Sequence, residues 1–291
     1  MRVLMIGCGY VGSALGQKLL SEGHEVIGVV RSQRSKDMLN QLGITSRIAD
    51  CSTIGGSRAA CEGGADIVIF SISSKGGDYE KTYLNGMRHV LLALEHQWPS
   101  LFFYTSSTSV YAQTDGTWVT EDSAAKPLYE NGKILLKTEE SLSSKAKGCF
   151  KSYILRLSGI YGPGRHAILD QLREKSEILK GNPKQWINQV HRDDVIQAIH
   201  FLMRLKSSKK NNEIFNVTDN TPVQKEDYVK WICQKLEQSI PKWEESEFPE
   251  VPLSRKSFQA NRRISNEALR KLGWTPAYSS FREGLENELR S

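Results

Sequence analysis

The sequence has no run of about 18 apolar residues, so it contains no stretch that reads as a membrane span. Cysteine is sparse and scattered: five residues, Cys8, Cys51, Cys61, Cys149 and Cys233, with no Cys-x-x-Cys pair and an odd total. That argues against a disulfide framework and against a structural zinc site, and it fits reduced thiols in a cytosolic setting. A charged leader followed by an apolar stretch and a cleavage site is also missing, since the chain starts directly on RVLMIGCG. The expectation is a mature, cytoplasmic protein with no membrane partner. Internal repeats and low-complexity tracts are absent. The net charge is +6, but the 39 basic residues are not gathered into a stripe. The densest group, KSSKKNN at 206–212, reads as a solvated loop, so nucleic acid is not an expected partner. A small anionic substrate or cofactor uses the same positive field equally well.

At 291 residues the chain can bury a sizeable core, about three quarters of its unfolded surface. Short apolar runs (RVLMIGC, HEVIGVV, SRIADC, ADIVIFSIS, LFFYTSS, SYILRLSG) alternate with amphipathic stretches. These stretches include VGSALGQKLLSEG, SKDMLNQLG, EKTYLNGMRHVLLALEHQ and NGKILLKTEESLSSK. Such alternation predicts parallel βαβ units and a doubly wound, Rossmann-type α/β sheet over residues 1–157. Residues 158–291 read mostly as a smaller α/β substrate-binding region, with 185–200 returning to the sheet. Within it, the acidic segment 241–252 reads as a loop.

The first predicted strand runs into Gly7-Cys8-Gly9-Tyr10-Val11-Gly12 and then into a predicted helix. Gly7 permits a tight turn, Gly9 lets the backbone approach a pyrophosphate, and Gly12 lets helix and strand pack closely. Tyr10 and Val11, which carry the turn into the helix, and Ser71, at the end of the fourth strand, are grouped with them as cofactor-binding residues. One more residue type is absent. The second strand, EVIGVV, does not end on the Asp or Glu that binds a ribose 2′-hydroxyl; it ends on Val30-Arg31-Ser32, with Arg34 close behind. A guanidinium grips a 2′-phosphate that a carboxylate would repel. Arg31, Ser32 and Arg34 therefore point to NADP(H), with NAD as the second choice. Asp50, ending the third strand, is read either as an adenine contact or as a turn residue.

The fifth strand ends on Thr105-Ser106-Ser107, and Tyr129 and Lys133 follow four residues apart. On a helix that spacing places both on one face. An ammonium beside a phenol lowers the phenol pKa from about 10, and the pair can then exchange a proton with a substrate oxygen. Ser107 can orient the same oxygen.

With YTSSTSVY, PLYENGK, LRLSGIYGPGR (155–165), INQVHRDDVIQAI (187–199), FNVTDNTPV (215–223) and RRISNEALRKLGWTP (262–276), the chain resembles the extended or atypical short-chain dehydrogenase/reductases of the NAD-dependent epimerase/dehydratase group. The resemblance implies that Ser107 is the catalytic serine, Tyr129 the acid/base and Lys133 the residue that holds the nicotinamide ribose. It implies that Tyr161 and Gly162 flank the nicotinamide, that His191 and Asp194 are architectural, and that the protein forms a homodimer. Three departures stand out: Gly132 before the lysine, Lys137 where a carboxylate is expected four residues after it, and Ser158-Gly159 where sugar-nucleotide enzymes carry an asparagine. Glu139 or Glu140 follows later instead. The expected function is an NAD(P)-dependent oxidoreductase acting on a small carbonyl or alcohol. A nucleotide-sugar epimerase/dehydratase and a non-catalytic NADP-binding sensor are the alternatives.

Overall fold

A computed structural model describes residues 1–74, 76–205, 211–244 and 260–289. The expectations for 206–210 and 245–252 lie outside these residues. In chain order the first half holds β1 (Arg2–Ile6), α1 (Tyr10–Ser21), β2 (Glu25–Val30), α2 (Gln33–Gln41), β3 (Thr45–Ile48), α3 (Ile54–Cys61), β4 (Ile67–Phe70), α4 (Gly86–Ala93), β5 (Leu101–Ser107), β6 (Trp118–Val119) and α5 (Glu130–Ala146). There follow β7 (Lys151–Leu157), β8 (Gly159–Tyr161), α6 (Ala167–Arg173), β9 (Ile178–Lys180), β10 (Trp186–Ile187), β11 (Gln189–His191), α7 (Arg192–Arg204), β12 (Asn212–Val217), β13 (Val223–Gln224), α8 (Lys225–Lys235), β14 (Lys242–Glu244), β15 (Arg263–Ile264), α9 (Glu267–Lys271) and α10 (Phe281–Leu289).

Two compact units emerge. The first comprises residues 1–107, 131–156 and 199–215. Its centre is the seven-stranded sheet, in the order β12-β7-β5-β4-β1-β2-β3. Strands β1, β2, β3, β4 and β5 pair in parallel. The amides of Ser152 and Ser158 donate to the carbonyls of Asn211 and Val217, an equal step along both strands that sets β12 parallel to β7 as well. Strand β4 is buried at every residue, as a strand covered on both faces must be. The strand order reverses between β1 and β4, and in open α/β sheets the crevice at such a switch point is where ligands bind.

The strand that returns to the sheet is β12, not the segment 185–200. Phe215, Asn216 and Val217 of β12 are buried, whereas QWINQVH splits into β10, paired with β13, and β11, paired with β8. Residues 242–244, read as loop, form β14 against β9. They are too short to announce a strand by pattern.

The second unit comprises residues 108–130, 157–198 and 216–291. Tyr161, Leu172, Tyr228, Ile232, Phe281 and Leu285 pack its core. Two carboxylates are buried with it. Asp194 accepts the amides of Ala277 at 2.6 Å and Tyr278 at 3.1 Å, which ties the segment before α10 to the start of α7. Asp219 accepts the amide of Thr221 at 2.9 Å. Burial raises Asp194 to about 6 and, with the Asp194 charge adding to it, Asp219 to about 8.

These acids are neutral in the native state at pH values where the unfolded chain has already ionised them. Their contribution is complete below an unfolded pKa of about 3.9 and is lost as pH rises through the folded values. Stability should therefore fall between about pH 4 and pH 8, most steeply below pH 6, where both acids take part. Asp219→Asn, whose amide oxygen can still accept from Thr221, should shrink that fall and raise the melting temperature at pH 8.5. An unchanged pH profile of thermal unfolding would contradict this.

Candidate functional site

The carboxyl ends of β1, β2, β4 and β5 carry Gly7, Arg31, Ser71 and Ser107 along one edge of the first unit. Gly7 has φ of 88°. A Cβ there would sit 2.5 Å from the carbonyl oxygen of Ser71, so the turn cannot hold a side chain. At Gly9 a Cβ would meet no atom within 4 Å. The backbone is thus open where a ligand must approach it, and shut where β1 and β4 meet. Helix α1 begins at Tyr10, has no acidic residue in its first turn and no side chain capping Gly9. Its first amides, at the positive end of the helix dipole, suit a pyrophosphate. Val11 and Gly12 are buried behind them, and Tyr10 is half-buried.

Arg31 is exposed and donates from Nη2 to the carbonyl of Ser73 at 3.2 Å. This bond passes the end of β1, which lies between β2 and β4 in the sheet, so the guanidinium is held at the glycine turn. Ser73 carries no sequence signal of this role. Arg34 is exposed in the first turn of α2. Ser32 caps that helix: its Oγ accepts from the amide of Ser35 at 3.3 Å and donates to the Ser35 hydroxyl at 2.9 Å. The structure gives Ser32 a capping role, because a serine before a helix satisfies an amide of its first turn. Asp50 is a turn residue, accepting from the amide of Ser52 at 3.0 Å. Hydrogen bonding from Ser52, with the Arg31 charge helping, holds its carboxyl below the usual carboxylate range.

At the end of β5 side chains alternate between faces. Thr105 donates to the Ser71 hydroxyl at 3.0 Å, and the half-buried Ser107 follows on the same side. Ser106 points the other way, to α5, and donates to Glu139 Oε1 at 2.6 Å. The same carboxylate accepts from Arg156 of β7, through Nε at 3.1 Å and Nη2 at 2.7 Å. Glu139 and Arg156 have side-chain exposures of 3% and 4%. This buried lock fixes which face of α5 meets the sheet. Its buried face holds Ile134, Leu135, Thr138, Glu139 and Leu142. Lys133, Lys137 and Glu140 are exposed.

The helical spacing of Tyr129 and Lys133 therefore does not settle their environment. Tyr129 is half-buried and lies immediately before the first residue of α5, while Lys133 lies on its exposed face. Burial pushes the Tyr129 phenol above its usual value, opposite to the expected effect of a neighbouring ammonium. Tyr161 is a core residue of the second unit. Its ring lies edge-on to His191, its hydroxyl donates to the Ser280 carbonyl at 3.4 Å, and a Cβ on Gly284 would sit 2.1 Å from that hydroxyl. Its side chain packs in the core of that unit. His191 is buried, with the Tyr278 ring tilted by 41° against it and the centroids 3.9 Å apart, and Asp194 ties down backbone, both in keeping with architecture.

A doubly wound parallel sheet with this glycine turn at its switch point defines a dinucleotide-binding α/β enzyme. Comparison with known proteins gives the family: residues 3–218 match the NAD dependent epimerase/dehydratase family, and the chain belongs to it. The chain is 28% identical to protein YeeZ of Escherichia coli K12 over 225 residues, covering 74% of this chain and 77% of that protein. It is 26% identical over 243 residues to the decarboxylating sterol-4-alpha-carboxylate 3-dehydrogenase of Dictyostelium discoideum, covering 75% and 71% of the two chains. The solved UDP-glucose 4-epimerase of Thermotoga maritima has the same fold, with a TM-score of 0.84 at 18% identity over 100% of this chain and 98% of that one. Among the described residues no helix is long and apolar enough to cross a membrane. The open cradle at Gly9 fits the family's NAD cofactor.

In the sequence Glu139 stands out only as a displaced carboxylate, and its partner Arg156 gives no sign. Removing one member of a buried pair leaves a desolvated charge, at a cost of about 3–5 kcal/mol. Glu139→Ala should therefore destabilise the fold by that order in a urea titration. A change below about 1 kcal/mol would show that the lock is not formed.

Proposed function

We propose that this enzyme moves a hydride between a nicotinamide dinucleotide and a small carbonyl or alcohol, and that it prefers NADP(H) over NAD(H). The observation that carries the preference is Arg31, a cation at the end of β2 where an acidic residue would select NAD, anchored beside the glycine turn by the Ser73 carbonyl. One donor of Arg31 is used by that bond. The planar guanidinium has five, enough to take a phosphate as well. Arg34 adds a second cation at the same end.

Bound nicotinamide supplies or accepts the hydride. The first amides of α1 hold the pyrophosphate, and Ser107 donates a hydrogen bond to the substrate oxygen. Tyr129 handles the proton: a phenol held above its ordinary pKa stays protonated at neutral pH and can donate to an oxygen that gains charge.

A second reading, a nucleotide-sugar epimerase or dehydratase, draws support from the family and from the fold of the Thermotoga epimerase. It uses the same first oxidation. Against it stand Ser158 and Gly159 in the place of a sugar-holding asparagine. Both amides are committed, to the carbonyls of Val217 and Asn188. A Cβ on Gly159 would lie 3.3 Å from the Asn188 oxygen, so the position is crowded.

Nicotinamide fluorescence of NADPH and NADH, titrated into the native chain and into Arg31→Asp, tests the preference. A charged hydrogen bond is worth about 1.5–3 kcal/mol, so the NADPH/NADH affinity ratio should fall by about 10- to 100-fold. A ratio that does not move would refute the role of Arg31.

A further inference from the structure

We propose that Tyr83 is a positioning residue for cofactor choice: its hydroxyl orients the Ser73–Ser74 peptide, and the carbonyl of that peptide holds Arg31 at the glycine turn. The inference deepens the NADP(H) reading given above and rests on it. One peptide plane carries it. The carbonyl of Ser73 and the amide of Ser74 belong to the same rigid trans unit and point in opposite directions. Arg31 Nη2 donates to that carbonyl at 3.2 Å. On the other side the Ser74 amide donates to the Tyr83 hydroxyl oxygen, which also hydrogen-bonds the hydroxyls of Ser73 and Ser74. Arg31 and Tyr83 thus grip the two ends of one peptide. A hydrogen bond made at the N–H polarises the C=O and makes it a better acceptor for the guanidinium.

The local chain shows why that peptide needs an anchor. Ser71 and Ile72 are wedged against the glycine turn: a Cβ on Gly7 would lie 2.5 Å from the Ser71 oxygen and 2.6 Å from the Ile72 Cα. Beyond them the chain leaves β4. Ser73 is exposed, and Gly76, at φ of 86°, and Gly77 follow. Glycine has the most backbone freedom to lose on ordering. Ser74 is buried, and its carbonyl accepts the Gly77 amide at 2.9 Å, so the turn closes on the residue that Tyr83 holds. Tyr83 is itself well placed to hold it. It lies in a π-helical turn, Glu80–Asn85, that leads into α4, and its ring packs on Tyr79 with the centroids 5.0 Å apart. Turns of this kind interrupt α-helical spacing and recur at functional sites. Burial raises the phenol above its usual pKa, so it stays neutral and keeps these bonds through neutral pH. Tyr83 acts through Arg31, not on the chemistry.

Calorimetric titrations with NADPH and with NADH test this on the native chain, Tyr83→Phe, Arg31→Ala and the double variant. Phenylalanine keeps the ring and its packing on Tyr79 and removes only the oxygen. Thermal melts confirm that each variant is folded. We expect Tyr83→Phe to weaken NADPH about three- to tenfold and to leave NADH within about twofold. In the Arg31→Ala background the same substitution should change NADPH by less than about twofold, because the carbonyl has no guanidinium left to hold. Unchanged NADPH affinity in Tyr83→Phe, an equal loss of both nucleotides, or a loss of the same size without Arg31 would each overturn the assignment. Hydrogen exchange on the unaltered chain tests the premise without any variant. The Ser74 amide should be protected before nucleotide is added, and exchange at the rate of an open loop would overturn the proposal. A native chain that binds NADH as tightly as NADPH would instead overturn the NADP(H) reading on which it rests.

Discussion

The buried contact among Glu139, Arg156 and Ser106 is the constraint on which the placement of the candidate site depends. A carboxylate and a guanidinium out of water must satisfy one another, and here they do so with near-bidentate geometry and a hydroxyl on a remaining lone pair. Loss of the geometry would strand two charges, so the helix has little freedom to roll. The lock joins α5, β5 and β7. It turns a helix that is polar at many positions into one with a defined inward stripe.

The glycine turn supplies the matching constraint at the other end of the site. Gly7 is where two strands and a turn crowd, and any side chain would strike the Ser71 carbonyl. Gly9 faces open space. The three residues Gly7, Cys8 and Gly9 thus close the backbone on the protein side and leave it bare on the ligand side. Arg31 bridges the two strands that flank this turn. Its hydrogen bond to Ser73 reduces the freedom of a long side chain before any ligand arrives, so less entropy is lost when a phosphate binds.

Much of this was legible in the sequence. Five strands, β1, β2, β4, β5 and β7, read directly as apolar runs, because parallel strands buried on both faces leave little room for polar residues. The glycine turn read directly because its spacing has a steric cause. Other features were hidden for physical reasons. An i,i+4 spacing says that Tyr129 and Lys133 can share a face, but the identity of the buried face is set by a partner on another strand. Ser32 looked like a ligand contact because a serine at a strand end serves equally well as a helix cap. Tyr161 looked available because sequence does not reveal burial against α10. The pairs β6–β15 and β9–β14 involve two or three residues each, too few for any periodicity. The segment 185–200 reads as the one that returns to the sheet, yet the place beside β7 belongs to β12.

The central claim is that the carboxyl edge of the first unit is a dinucleotide site with a cation where NAD-selecting chains have an acid. Calorimetric titration of the unaltered chain with NADPH and, separately, with NADH tests it most directly. The account predicts one equivalent of NADPH bound, more tightly than NADH and with an affinity that weakens as salt screens the 2′-phosphate. Equal affinities that do not respond to salt would contradict the role given to Arg31, and no heat with either nucleotide would contradict the site as a whole.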